Sequence, residues 1–124
     1  MDESPAKVFA IEYNGEAIGA IGVFPGNDVY KQNAEIGYWL AEPFWGKGIV
    51  CEALKQMVAY AFNTFYISRL YAAPFERNIS SSRVLEKAGF TLEAILPNAV
   101  YKKSQFEDEA IYSLWRDKFE YKKF

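Results

Sequence analysis

Two glycines separated by one lysine, Gly46-Lys47-Gly48, stand just before a long apolar run and could bind an anion. Glycine has no Cβ atom to keep an anionic ligand away from the backbone N–H groups. The first N–H groups of a helix point outward and carry a partial positive charge, which suits phosphate groups. The spacing therefore favours a phosphate-binding turn with Lys47 at its rim, although two glycines can also serve only to shape a turn.

Two better-known phosphate motifs do not match this stretch. The dinucleotide-binding fingerprint G-x-G-x-x-G requires a third glycine where this chain has Cys51, and the chain contains no G-x-x-x-x-G-K-[ST] segment. A phosphate at this turn would therefore belong to another kind of site.

Composition limits the chemistry that this sequence can perform. It has no histidine and one cysteine, Cys51, which excludes an internal disulfide, a metal site containing histidine, and a Ser-His or Cys-His catalytic pair. Acid–base chemistry must then use Glu, Asp, Lys, Tyr or water, and we expect no metal. The 14 basic and 16 acidic residues form no extended basic run, which disfavours nucleic acid as a partner.

Length and hydropathy indicate one domain. The 124 residues are 51% hydrophobic and 24% charged, enough to bury a core, and we expect a single domain over 1–124. The N-terminus is polar and no apolar stretch of 18 residues occurs. We therefore expect no signal peptide, no membrane partner and a cytoplasmic location.

Three predicted strands come before the glycine turn. Val8–Tyr13 and Ala17–Phe24 are expected to pair antiparallel through Asn14-Gly15, a dipeptide suited to a tight hairpin. Ala34–Leu40 is the third predicted strand, and Gly37 within it indicates a bulge or a close backbone approach.

A predicted helix follows the turn. From Gly48 onward, apolar residues recur at three- and four-residue spacing as far as Asn63-Thr64. The glycine turn therefore lies at a junction between a strand and a helix. The remaining predicted elements are a strand over Arg69–Phe75, a helix from Asn78 to Gly89, and strands over Phe90–Tyr101 and Phe106–Trp115.

Three segments in this order resemble one protein family. AEIGYWL, PFWGKGIVCEAL and NISSSRVLEKAGFTLEA are similar to motifs of the GNAT superfamily of acetyl-CoA-dependent N-acetyltransferases, particularly its RimJ/RimL branch of ribosomal-protein acetyltransferases. The resemblance covers roughly Val8 to Trp115. It implies a mixed α/β (α+β) fold with a mostly antiparallel sheet, splayed central strands and two flanking helices, and it implies acetyl-CoA as cosubstrate.

The resemblance also implies the residues that hold coenzyme A. The family pattern Q/R-x-x-G-x-G/A, which cradles the pyrophosphate, falls on residues 43–48, with Pro43 in place of Gln or Arg. The pantetheine arm would lie along the third strand, where a backbone N–H polarises the thioester carbonyl. The implied cofactor-binding residues are Trp39, Leu40, Ala41, Phe44, Trp45, Gly46, Lys47, Gly48, Ile49, Asn78 and Ser81.

Two residues are candidates for proton transfer by the same resemblance. Glu35 matches the catalytic glutamate of histone-acetylating members in a similar A-E-I context and would deprotonate the amine, directly or through water. Ser81 is the candidate acid, because Leu85 occupies the position where many members carry a tyrosine. Alternatively, Glu35 is only an exposed strand-end residue. Asn78 could likewise be only a helix N-cap.

The acceptor is expected to be a primary amine, either a protein N-terminus or a small molecule. A further glutamate of some RimL-type enzymes aligns with Val100, so ribosomal-protein specificity does not follow. Aromatic residues could form an acceptor wall or could equally belong to the core. These residues are Tyr38, Trp39, Phe44, Trp45, Tyr101 and Tyr112.

Two functions therefore stay open: an active N-acetyltransferase, and a coenzyme A-binding module or truncated enzyme without turnover. The sequence begins at what resembles the second strand of the family. We expect Val8–Tyr13, with Phe9, Ile11 and Tyr13 in an apolar row, to form an open sheet edge. Open apolar edges recruit partners, so we expect a homodimer or a complex with a separate N-terminal piece.

Overall fold

The computed structural model describes residues 5–73 and 79–123, with backbone alone at 79–81 and 120–123. The described part contains six strands and three α-helices. The strands are β1 (Val8–Tyr13), β2 (Glu16–Pro25), β3 (Asn33–Leu40), β4 (Arg69–Ala72), β5 (Thr91–Lys102) and β6 (Gln105–Trp115). The helices are α1 (Ile49–Thr64), α2 (Ile79–Lys87) and α3 (Arg116–Lys123).

The strands form one sheet in the order β1-β2-β3-β4-β6-β5. Every neighbouring pair is antiparallel except β3 and β4, which run parallel. The expected mixed α/β fold with a mostly antiparallel sheet is therefore confirmed. The β1–β2 hairpin turns at Asn14 (φ 52°) and Gly15 (φ 82°), the positive angles for which this dipeptide is suited.

One hydrophobic core joins the sheet to the helices. Helix α1 buries Leu54, Met57, Val58, Ala61 and Phe62, the three- and four-residue spacing read from the sequence. Alternate residues of the strands meet this face, because successive side chains of a strand point to opposite sides. Ala34 and Leu70, in the centre of the sheet, are fully buried there.

The two central strands separate soon after they pair. Strand β3 pairs with β4 only through Asn33–Glu35 and Arg69–Tyr71, whereas it pairs with β2 as far as Leu40. Beyond Glu35, the side of β3 that faces β4 has no ladder within the described residues. The expected splay of the central strands is therefore present, and it opens at Glu35.

Three details differ from the sequence prediction. Helix α3 was not predicted, because RDKFEYKK has little apolar periodicity. Its Phe119 stacks on Phe62 of α1, with 5.2 Å between the ring centroids.

The prediction of a bulge at Gly37 is wrong, since the β2–β3 register is continuous. A close backbone approach is absent too within the described residues, since a Cβ atom at Gly37 would meet only the Phe24 ring, at an ordinary contact distance of 3.7 Å. Strand β4 is described only to Ala72, and Phe75 lies outside the described residues.

No helix within residues 5–73 and 79–123 is long and apolar enough to cross a membrane.

Candidate active site

The loop after β3 is tied back onto the end of that strand. Glu42–Phe44 forms a single 3-10 turn, and the Trp45 indole Nε1–H donates a hydrogen bond of 2.7 Å to the Leu40 carbonyl. Because this bond joins the loop to the strand, it fixes where the next residues, Gly46 to Gly48, enter α1.

The glycine turn has the geometry that the sequence predicted. Gly46 and Gly48 both adopt φ 77°, a left-handed conformation that glycine enters at little cost. A Cβ atom at either position would meet no other atom within 4 Å, so the space above the turn is open. Gly48 caps α1 without a side chain, and the first N–H groups of a helix have no intrahelical partner. These features fit a pyrophosphate.

Lys47 stands between the two glycines of this turn, where the sequence predicts a positive charge at its rim. Its Nζ atom is 5.8 Å from the centre of the Phe44 ring, and Phe44 in turn contacts Tyr13 edge to face at 5.8 Å. The lysine is exposed, so its charge remains available to an anion at the mouth of the turn.

Backbone direction distinguishes among the three residues predicted to follow the pantetheine arm. The Ala41 N–H donates to the Ile18 carbonyl at 2.9 Å and is therefore committed to β2. Since backbone groups alternate in direction along a strand, the Leu40 N–H points to the other side, into the splay. The exposed Trp39 side chain lies beside it. Leu40 is thus better placed than Ala41 to donate to a thioester carbonyl.

Glu35 occupies the last rung of the β3–β4 ladder, directly opposite Tyr71. Its side chain is exposed. Burial, and next the charge of Glu35, raise the pKa of Tyr71 above 10.0, while Arg69 acts in the opposite direction. The carboxylate is therefore within electrostatic reach of the phenol. Sequence reasoning missed Tyr71, because only the parallel register brings it to Glu35.

Arg69 organises the groups around Tyr71. Its guanidinium binds both carboxylate oxygens of Glu93, with Nη2 at 2.9 Å and Nε at 3.2 Å, and donates to Asn33 Oδ1 at 3.0 Å. Its central carbon lies 4.9 Å from the centre of the Tyr71 ring. The sequence did not predict this cluster, because its members lie in three separate strands.

The predicted proton donor, Ser81, and the predicted arm-binding residue, Asn78, belong to the start of the second predicted helix. Ser81 lies in the first turn of α2, without a described side chain, and Asn78 lies outside the described residues. Leu85 is fully buried in the core, so its position offers no proton donor. Ser81 remains the candidate by sequence alone.

The aromatic residues do not form a single acceptor wall. Tyr112 belongs to the core, with 6% of its surface exposed, and its hydroxyl lies 3.4 Å from Glu86 Oε1 in α2. Trp39, Trp45 and Tyr101 are exposed. Tyr112 is therefore excluded from a wall that contacts the acceptor.

No group of three potential metal ligands lies together in the described part of the chain.

Comparison with protein families identifies residues 1–91 as matching the model described as an acetyltransferase (GNAT) domain. The Bacillus subtilis protein named "Probable N-acetyltransferase YjcK" is 38% identical over 97 residues, covering 78% of this chain and 54% of the relative. A ribosomal-protein-serine acetyltransferase of Escherichia coli is 32% identical over 87% of this chain and 60% of its own length.

Solved structures agree with this similarity. A ribosomal-protein α-N-acetyltransferase of the RimL type, in complex with coenzyme A, superimposes with a TM-score of 0.80 at 27% identity, over 90% of this chain and 62% of that one. The self-immunity acetyltransferase MccE, in complex with acetyl-CoA and AMP, gives 0.77 at 30% identity over 87% and 59%. The chain spans 54–58% of the first three curated relatives that it matches.

Proposed function

This chain belongs to the GNAT acetyltransferase domain family, and from that membership we propose that it transfers the acetyl group of acetyl-CoA to a primary amine. The observation that carries the proposal is the glycine turn at the start of α1 beside the open side of β3. A phosphate site and an unpaired strand edge that meet at one loop suit a long ligand with a pyrophosphate and an extended arm.

Acetyl-CoA supplies the activated acetyl group, and the residues of this chain bind and orient it. The N–H groups at Gly46–Gly48 and the first turn of α1 would hold the pyrophosphate, and the Leu40 N–H would donate to the thioester oxygen. Such a donor acts where negative charge develops during attack, a role typically worth about 3 kcal/mol. Asn78 would add a contact to the arm.

Glu35 would take a proton from the acceptor ammonium, because an ammonium has no lone pair for attack. The freed nitrogen pair forms the C–N bond, and the C–S bond breaks with its electron pair on sulfur. Ser81 would give its proton to the thiolate. As the amide forms, the nitrogen loses a second proton, and that proton returns to Ser81. A free thiol titrates near 8.5, so a weak acid is sufficient.

Release of free thiol tests the proposed function. With acetyl-CoA and a panel of primary amines, we expect thiol release that depends on the amine and matches the acetylated product in amount. Release at the same rate without any amine would contradict acetyl transfer and indicate simple hydrolysis.

The second candidate is a coenzyme A-binding module without turnover. It is favoured by one observation: Leu85, at the position where many members of the family carry a tyrosine, is a fully buried leucine that cannot protonate the thiolate. Both candidates predict coenzyme A binding by calorimetry. Binding without amine-dependent thiol release, across the whole panel, would support the module and reject the enzyme.

We also propose a partner at the edge formed by β1, which has β2 as its single strand neighbour among residues 5–73 and 79–123. The apolar row expected there is partly covered, since Ile11 is buried and Phe9 meets Tyr60 edge to face at 5.1 Å. The outer backbone edge of β1 is open. In addition, a cavity of about 630 Å³ lies between β1 and α1. Exposed edges pair readily with other strands.

A second copy of the chain, or a separately made N-terminal piece, would cover this edge. We expect sedimentation at micromolar concentration to show a dimer, or a monomer that gains mass and activity when the complementing piece is added. A stable monomer of 14.2 kDa with full acetyltransferase activity by itself would contradict the partner.

A further inference from the structure

Tyr71 stands beside the proposed base, at the point where β3 and β4 separate. Glu35 and Tyr71 are the last pair of the parallel ladder. The preceding pair, Ala34 and Leu70, is fully buried on the side of the core. Because side chains alternate along a strand, Glu35 and Tyr71 both point to the opposite face, on strands about 4.8 Å apart. The carboxylate and the phenol therefore leave the sheet side by side.

Arg69 fixes the phenol ring from one side. The guanidinium lies 4.9 Å from the ring centre and is itself held by Glu93 and Asn33. A planar guanidinium held by several hydrogen bonds has little freedom to move. It covers one face of the ring and leaves the hydroxyl as the hydrogen-bonding group that Tyr71 offers to an acceptor ammonium.

The charges around Tyr71 leave one carboxylate, that of Glu35, without a compensating cation among the groups named next. The charged and titratable groups around Tyr71 are Glu35 from β3, Arg69 from β4, Glu93 from β5 and Tyr30 from the 3-10 turn at 28–30. The hydrogen bond from Arg69 is the largest effect lowering the pKa of Glu93, so that pair stays ionised and compensated at neutral pH. Among these groups, Glu35 carries the uncompensated charge.

A cavity of about 400 Å³ is lined in part by Tyr71. Its lining includes Tyr30, Asn33, the Arg69–Glu93 pair and the apolar Ile111. These groups are neutral or mutually compensated, so they offer no carboxylate to a second ammonium. The cavity suits an uncharged body that carries both polar and apolar groups.

We propose that Tyr71 and Glu35 together bind the acceptor nitrogen, and that the acceptor is a primary amine whose uncharged body occupies this cavity. The ammonium donates to the Glu35 carboxylate and to the Tyr71 hydroxyl oxygen. When Glu35 takes one proton, an N–H stays on Tyr71 and the nitrogen lone pair is free to attack. This assignment rests on the proposed function, because it describes the acceptor side of the same reaction.

Kinetics of Tyr71→Phe test the contact with the amine. Hydrogen bonds to charged groups are strong enough that their loss should raise the KM for the amine by about 10- to 100-fold, while the Kd for coenzyme A stays unchanged. Tyr66→Phe is the matched control, because Tyr66 is 95% exposed in the loop after α1. If Tyr71→Phe and Tyr66→Phe have the same KM for the amine, the proposal is overturned. It is also overturned if Tyr71→Phe weakens only the binding of coenzyme A.

A second readout does not depend on turnover. In protein labelled with ¹³C at tyrosine Cζ, the Tyr71 signal is identified by its loss in Tyr71→Phe. It should titrate above the ordinary range, shift to lower pKa in Glu35→Gln, and move when alanyl-alanine amide is added. If the wild type acetylates no amine, the proposed function fails, yet this signal still decides the pairing. A Tyr71 signal indifferent both to Glu35→Gln and to the added amine would overturn the pairing.

The body of the acceptor is tested separately. We expect alanyl-alanine amide, a neutral-bodied amine, to exceed spermidine in kcat/KM by about 10-fold or more, because a second ammonium in the cavity would lack a partner. Preference for spermidine over the dipeptide amide would contradict the proposed substrate class.

Discussion

Replacing Gly48 with valine is expected to reduce coenzyme A affinity by about 100-fold or more, the equivalent of losing two hydrogen bonds to charged phosphate oxygens. The added side chain would stand in the open space above the first N–H groups of α1, where a Cβ atom meets nothing within 4 Å. It would also strain a residue at φ 77°, at a cost of roughly 1–2 kcal/mol. Titration calorimetry with coenzyme A measures the loss.

Gly15→Val separates the two effects. Gly15 has φ 82° and also has open space around it, but it lies in the turn between β1 and β2 and contributes no N–H group to the start of α1. We expect both variants to lose similar stability in thermal unfolding, and only Gly48→Val to lose coenzyme A. Unchanged affinity in Gly48→Val would reject the glycine turn as the pyrophosphate site, and equal loss in Gly15→Val would attribute the effect to stability.

Replacing Glu35 with glutamine should lower kcat/KM by about 10²-fold at neutral pH, within the usual range for general acid–base catalysis. Glutamine keeps the size of the side chain but cannot accept the proton. The loss should shrink as pH rises, because more of the amine is then already deprotonated. Steady-state rates across the pH range, with saturating acetyl-CoA, measure both quantities.

Glu16→Gln is the matched control, since Glu16 is an exposed residue at the start of β2. We expect it to leave the rate and the pH profile unchanged. If Glu35→Gln behaves in the same way, the proton passes to solvent and Glu35 is only a surface residue. If the decrease in kcat/KM caused by Glu35→Gln is the same at every pH, Glu35 binds the amine and does not remove its proton.

Local signals in the sequence were sufficient for most of the fold. Asn14-Gly15 predicts the hairpin because its residues tolerate positive φ, and the structure has them there. The apolar spacing after Gly48 predicts α1 because that helix buries one face, and the bounds agree. In contrast, α3 depends on contacts made by Arg116, whose guanidinium donates to the carbonyls of Ile67 and Phe65. Such contacts join residues far apart in the chain.

The candidate site also divides into features that local sequence signals predict and features that depend on contacts between distant residues. The sequence by itself determined the glycine turn, because the conformation of Gly46 and Gly48 and their place before α1 are local properties. It also determined the family, through three motifs in order. Only the tertiary structure decided that Tyr71 stands beside Glu35, since this depends on the parallel register of two strands that are separated in sequence by α1.

Tertiary structure likewise decided which side of β3 is open. No sequence pattern indicates that Ala41 gives its N–H to Ile18 while Leu40 faces the splay. The Arg69–Glu93 pair, which lines the proposed acceptor cavity, joins β4 to β5, and its members lie 24 residues apart. Single residues and their spacing therefore specify the proposed cosubstrate side of this protein, whereas strand pairing, which is set by burial of the whole sheet, assembles the proposed acceptor side.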